Sequence, residues 1–226
     1  MNFQTFIRTF ASKKKMDIFE ISNIFVEIFG YKLSFLEFAA VLTGLAAVYL
    51  ASLGKVVNFY IGLINNVLYF LLFYQCHLYS MMILQAVYFV ISSYGIYAWT
   101  KQGENQQLIK ITELSNNQRI KLSVVVVLVS IVWGFCVVKL SGQFPEYIEK
   151  PAYPMIDALL TIASIAGQIL LTRKKIDNWL IWIFVNMASV ILYAAIGIYF
   201  TAILYVLFLL IAIKAFAEWK RELLKS

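Results

Sequence analysis

Residues 178–186 read NWLIWIFVN, and 120 positions earlier residues 58–66 read NFYIGLINN. Each nonapeptide begins and ends on asparagine inside an otherwise apolar run. A buried amide without a partner costs about 2–7 kcal/mol, so asparagines in a membrane-crossing helix belong on a face turned away from lipid. The same shift of 120 continues without a gap: Tyr79 falls on Tyr199, Trp99 on Trp219, Lys55 on Lys175 and Glu37 on Asp157. Polar and aromatic coincidences carry more weight here than aliphatic ones, which composition alone produces. The sequence reads as two copies of a three-helix unit, 34–99 and 154–219, joined by a linker span at 121–139. Three spans plus one connecting span leave both units in the same orientation. The pattern predicts a pseudo-twofold axis along the membrane normal and a substrate site near the midplane between the units.

Composition agrees. The chain is 62% hydrophobic and 14% charged, against about 25% charged residues in soluble domains. About 20 apolar residues cross a bilayer core, and windows of that kind occupy 34–53, 56–75, 79–99, 121–139, 153–172, 178–196 and 199–217. They leave no room for a soluble catalytic domain. The predicted fold is an all-α polytopic membrane protein with seven transmembrane helices, forming a single transmembrane domain over 34–220. The stretch LSVVVVLVSIVWGFCVV (122–138) is β-branched and lacks a polar stripe, which suits a linker.

The net charge of +7 does not point to nucleic acid, because the basic residues sit in short loops, the positive-inside signature. Alternating loops place Lys55, Lys101, Lys110, Arg119, Lys121, Arg173, Lys174, Lys175, Lys220, Arg221 and Lys225 on one side. That side is expected to be cytoplasmic and to carry the C-terminus. Lys13, Lys14 and Lys15 conflict with the rule. The segment after them, MDIFEISNIFVEIFG (16–30), spaces Asp17, Glu20 and Glu27 among Ile and Phe as an amphipathic helix does. Residues 1–33 are therefore expected to be a tail and an interfacial helix lying on the membrane, with crossing as the alternative.

Four helices each offer one polar or aromatic face. In the sixth span Asn178, Trp182, Asn186, Ser189 and Tyr193 share a face, and Asn58, Gly62, Asn66, Tyr69 and Phe73 match it in the second. The fifth contributes Asp157, Thr161, Ser164 and Gln168, the third Gln85, Tyr88, Ser92 and Trp99. Such residues commonly bridge membrane helices, and Gly44, Gly62 and Gly167 permit close packing. Asn66 and Asn186 recur on both sides of the repeat, which favours a cavity. Trp182 lies deep enough for its indole to stack on a ligand and for its N–H to need a partner. Trp99 and Trp219 read as interfacial anchors beside Lys101 and Lys220, and Trp179 fits either role. Glu37 and Asp157, near span starts, suit the helix dipole or a proton relay.

The stretch VNFYIGLINNVLYFLLFYQCHLYSMMILQAVYFVISSYGIYAWTK (57–101), together with NWLIWIFVN and IYFTAILYVLFLLIA (198–212), resembles the PnuC-type bacterial vitamin transporter family. The W-x-x-W-x-x-x-N run at 179–186 is the most specific element, and the nicotinamide riboside transporter branch is the nearest in pattern. The resemblance implies a SWEET-like three-one-three fold, a homotrimer in the bacterial inner membrane, and facilitated diffusion with a cytoplasmic kinase trapping the vitamin. Nicotinamide riboside is a flat cationic ring on a ribose. An indole attracts such a cation by about 1–2 kcal/mol when desolvated. Amides on Asn66, Asn186, Gln85 and Gln168 match its hydroxyls and carboxamide. The expected substrate-binding set is Trp182, Asn186, Asn66, Gln85, Tyr88, Tyr69, Gln168 and Trp179.

Thiamine, also a cationic heteroaromatic, is the rival substrate, and Glu37 with Asp157 keeps a proton-coupled symporter open. A membrane enzyme would need paired deep carboxylates or a metal cluster. One histidine, His77, and two unpaired cysteines, Cys76 and Cys136, supply neither, and no cofactor or metal motif is present.

Overall fold

A computed structural model describes residues 17–28, 30–76, 79–104, 110–145, 153–195, 197 and 199–225. His77 and the lysines at 13–15 lie outside the described residues. Seven helices among them are long and apolar enough to cross a membrane: α1 (Phe35–Ser52), α2 (Val57–Gln75), α3 (Tyr79–Glu104), α4 (Asn116–Gln143), α5 (Pro154–Thr172), α6 (Asp177–Ala195) and α7 (Tyr199–Leu223). Polar residues or a proline start several of them. Ser34 accepts from the Glu37 amide at 3.1 Å, with Glu37 in the favourable first turn of α1. A reciprocal Ser115–Gln118 capping box starts α4, and Pro154 opens α5 at a position where no N–H is needed.

The segment expected to be an amphipathic helix is instead a single 3-10 turn (Asp17–Phe19) followed by an antiparallel hairpin, β1 (Ile24–Ile28) and β2 (Tyr31–Ser34). Gly30, at φ 82°, takes a left-handed turn conformation that other residues avoid. IFVEI is β-branched enough to pair, and Glu27 faces Lys32 across the ladder. The hairpin is held on the bundle. Gln75 accepts from the Ile21 amide at 2.9 Å and donates to the Phe19 carbonyl at 2.8 Å. Phe25 stacks on Phe38, and Tyr31 donates to Glu37. Burial and the neighbouring Glu37 push the Tyr31 phenol above its usual range.

The two triplets, α1–α3 and α5–α7, turn their first corner the same way. Gly54 and Lys174 both have positive φ, 64° and 49°. The Lys55 amide reaches the Leu50 carbonyl at 3.1 Å, and the Lys175 amide reaches Leu170 at 3.0 Å, closing matching Schellman turns. Asn58 and Asn178 then donate to the Lys55 and Lys175 carbonyls, each at 2.6 Å. These corners and the C-terminus define the basic end of the bundle; the hairpin marks the other.

Helix α4 packs on α5 and on no other described helix to comparable extent. Ser130, Gly134 and Ser141 form the buried side. A Cβ on Gly134 would lie 2.6 Å from the Met155 sulfur, so a larger residue there would have to displace that side chain. The loop before α4 is stitched to the α5–α6 corner. Thr112 donates to the Lys174 carbonyl (3.2 Å), Ile176 to Thr112 (2.9 Å), and Asp177 accepts from Leu114 N–H (2.7 Å) and Arg119 Nε (2.6 Å).

Candidate functional site

Polar side chains inside the bundle form a belt that passes from helix to helix. It begins between α2 and α3, where Asn66 and Gln85 sit at the base of a cleft of about 300 Å³ walled by Val67, Phe70, Phe89 and Val90. These walls are exposed, Val90 to 67%, so the cleft opens sideways from the bundle. Gln85, Tyr88 and Ser92 follow at i, i+3 and i+7 along one face of α3. Tyr88 is within reach of Ser164 of α5, and Gln168 of α5 donates to Ser92 at 3.4 Å. Next to Gln168, Gly167 lets the Trp182 indole approach from α6. A Cβ there would sit 3.4 Å from the indole nitrogen and 3.2 Å from Ile181. Asn186 and Ser189 continue the inner face of α6, both buried. Tyr193 closes the series, stacked on Tyr205 of α7 with centroids 5.3 Å apart and planes at 14°.

Neighbouring asparagines on α2 have different duties. Asn65 is helix–helix glue: its amide donates to the Ala40 carbonyl at 2.6 Å and to Thr43 Oγ1 at 3.0 Å. Asn66 is 7% exposed, yet its Nδ2 has no acceptor among the described residues. A buried donor without a partner carries a desolvation penalty that a ligand or water can relieve. The sequence singled out Asn66 and passed over Asn65.

The expected site residues divide. Gln85, Tyr88, Gln168, Trp182, Asn186 and Asn66 all contribute to the belt. Tyr69 stacks on Phe73 within α2. Trp179 stands apart. It is 1% exposed and meets Trp219 edge-to-face at 5.6 Å in the hydrophobic core at the basic end, away from the belt, and its Nε1 has no acceptor among the described residues. Trp99 and Trp219, read as interfacial anchors, are also tied inside the protein, as described below. Sequence reasoning missed Tyr205, although the shift of 120 places it on Gln85, a chosen candidate.

Asp177 is the only charged residue among the buried described ones, and it lies at the basic end, held by Arg119. No group of three or more potential metal ligands occurs among the described residues. The belt thus offers amides, hydroxyls and aromatic faces without a buried charge. This chemistry suits a flat ring with hydroxyl and carboxamide groups.

A family model described as nicotinamide mononucleotide transporter matches residues 34–221. A relative from Escherichia coli K12, a nicotinamide riboside transporter PnuC, is 32% identical across 90% of this chain and 94% of its own length. One of the same description from Neisseria mucosa is 26% identical across 71% of this chain and 60% of its own. Among solved structures, the crystal structure of the vitamin B3 transporter PnuC superposes with a TM-score of 0.63. At 24% identity it covers 84% of this chain and 82% of that one, and it shares the fold.

Proposed function

The chain belongs to the nicotinamide mononucleotide transporter family, and from that membership we propose that it carries nicotinamide riboside across a bacterial inner membrane by facilitated diffusion. The family description and the relatives' descriptions differ by one phosphate. The observation that decides between them is the uncharged belt: no lysine or arginine is buried among the described residues. A phosphate dianion drawn into a bilayer's midplane needs charge-assisted donors, above all a bidentate arginine. A riboside needs none.

In this reading the pyridinium ring stacks on Trp182, and Asn186, Gln168 and Gln85 pair with the carboxamide and ribose hydroxyls. The unpartnered Asn66 amide supplies a further donor. The two triplets rock about the belt, related by a pseudo-twofold axis, and a homotrimer surrounded by lipid is the expected assembly. The basic end faces the cytoplasm, following the Lys/Arg asymmetry, so the substrate is released where a kinase can trap it as the phosphate. Downhill exchange of this kind requires no cofactor and no catalytic residue.

Tryptophan fluorescence of the purified protein, titrated with nicotinamide riboside, nicotinamide mononucleotide and thiamine, tests the reading. The riboside should saturate the signal at concentrations at least about tenfold lower than either competitor, a difference of about 1.4 kcal/mol. Equal or tighter binding of the mononucleotide would refute the phosphate argument. Tighter binding of thiamine would move the protein to another vitamin. Uptake into kinase-free vesicles that stops on collapse of a proton gradient would replace facilitated diffusion with symport.

A further inference from the structure

Trp99 ends one triplet and Trp219 ends the other, and each indole reaches across to the opposite one. Trp219 Nε1 donates to the Ser52 carbonyl at the end of α1, at 2.8 Å. Trp99 Nε1 donates to the Thr172 carbonyl at the end of α5, at 2.9 Å. The shift of 120 turns Ser52 into Thr172 and Trp99 into Trp219. The two bonds are therefore one contact made twice in opposite directions, which is the signature of an isologous interface. Their supports match as well. Phe59 meets Trp99 at 5.0 Å with planes at 88°, and Trp179 meets Trp219 at 5.6 Å and 87°.

The acceptors are carbonyls in the last turn of a helix, which the helix itself leaves without a partner. Around them lies the core that joins the triplets, in which Ala51, Phe59, Leu171, Trp179 and Ala215 are buried together with Trp219. Trp99 carries an additional load, since Lys174 Nζ sits 4.9 Å from its ring. Trp219, 2% exposed, is the deeper of the pair. At the hairpin end the corresponding buried cluster, Leu36, Ala40, Leu68 and Leu72, belongs to the first triplet alone. Among the described residues, the hydrogen bonds joining the two triplets lie at the belt or the basic end.

We propose that Trp99 and Trp219 are paired latches that hold the basic end closed, and that both bonds must break for the belt to open on that side. They are positioning residues for transport and touch no substrate. The proposal rests on the transporter reading, but its first measurement uses no substrate. A single reporter thiol is placed in the belt by Ser164→Cys, with Cys76 and Cys136 replaced by serine. In proteoliposomes of known orientation, its reaction with a membrane-impermeant methanethiosulfonate applied from the basic end is timed. Trp99→Phe and Trp219→Phe keep a ring and remove the N–H. Each should speed labelling about fivefold, and the double variant about twenty-fivefold, if the bonds act independently. Labelling from the hairpin end should slow or stay constant.

Because phenylalanine is smaller, the measurement is repeated with β-(3-benzothienyl)alanine at 99 or 219, which fills the indole's volume with sulfur in place of the N–H. Faster labelling with both replacements supports the latch. Rates equal to the parent with the benzothienyl side chain overturn it and assign both tryptophans to packing. Nicotinamide riboside binding, measured separately by fluorescence, distinguishes the two ideas. Loss of riboside binding in the parent refutes the substrate reading, whereas the labelling rates alone decide the latch.

Discussion

Replacing Asn65 or Asn66 by leucine makes the same chemical change one residue apart, and the structure assigns the two variants opposite outcomes. Asn65→Leu deletes two hydrogen bonds between α2 and α1. The acceptors are not stranded, because Thr43 Oγ1 still donates to the Ala39 and Ala40 carbonyls at 2.7 and 3.1 Å. The loss therefore falls at the lower end of the range for buried bonds, about 1–2 kcal/mol. For a chain of this size that lowers the thermal midpoint by about 2–8 °C. Asn66→Leu removes a donor that had no acceptor among the described residues, so stability should stay within about 0.5 kcal/mol of the parent or rise. Binding should respond in reverse. Asn65→Leu retains nicotinamide riboside affinity, whereas Asn66→Leu loses about 1–3 kcal/mol of it, from about fivefold to over a hundredfold. Differential scanning fluorimetry in detergent and a tryptophan-fluorescence titration measure both quantities on one preparation. An unstable Asn66→Leu protein with parental affinity would refute the assignment of Asn66 to the ligand.

Trp182→Ala should weaken riboside binding at least about tenfold, with Trp182→Phe intermediate; unchanged affinity in folded protein would return Trp182 to packing. Gly95→Ala should lower the thermal midpoint, because a Cβ there would lie 2.5 Å from the Phe59 ring. That ring is fixed against Trp99, so the expected cost is about 1–3 kcal/mol, and a midpoint equal to the parent's would show that the ring yields. Lys174→Cys, in a protein lacking Cys76 and Cys136, should react with an impermeant thiol reagent only after cells are permeabilised. Labelling of intact cells would invert the assignment of the basic end to the cytoplasm.

The seven spans were legible because apolar length alone decides them, and the polar belt was legible because its members recur at helical spacing. The hairpin was not. IFVEIFG fits a period of 3.6 nearly as well as a period of 2, and Gly30 is the residue that turns the choice. Trp99 and Trp219 sit beside lysines at span ends, the pattern of an interfacial anchor. Their real partners are backbone carbonyls 73 and 167 residues away, which no local pattern encodes. Trp179 and Trp182 differ by less than one turn: Trp179 lies inside the basic-end core, while Trp182 packs against that core and meets Gly167 of α5. Asn65 and Asn66, about 100° apart around α2, divide in the same manner.

The stitching of the 110–115 loop to the α5–α6 corner makes the two halves of the chain unequal. Asp177, which anchors both Leu114 and Arg119, corresponds to Val57 in the first triplet, where no such staple can form. Helix α4 also leans on α5. The helices therefore divide into an arm of three and a frame of four. If the chain is severed between 104 and 110 and the parts are expressed as separate polypeptides, the second part keeps its own scaffold. The first must find its place through the contacts it makes with that frame.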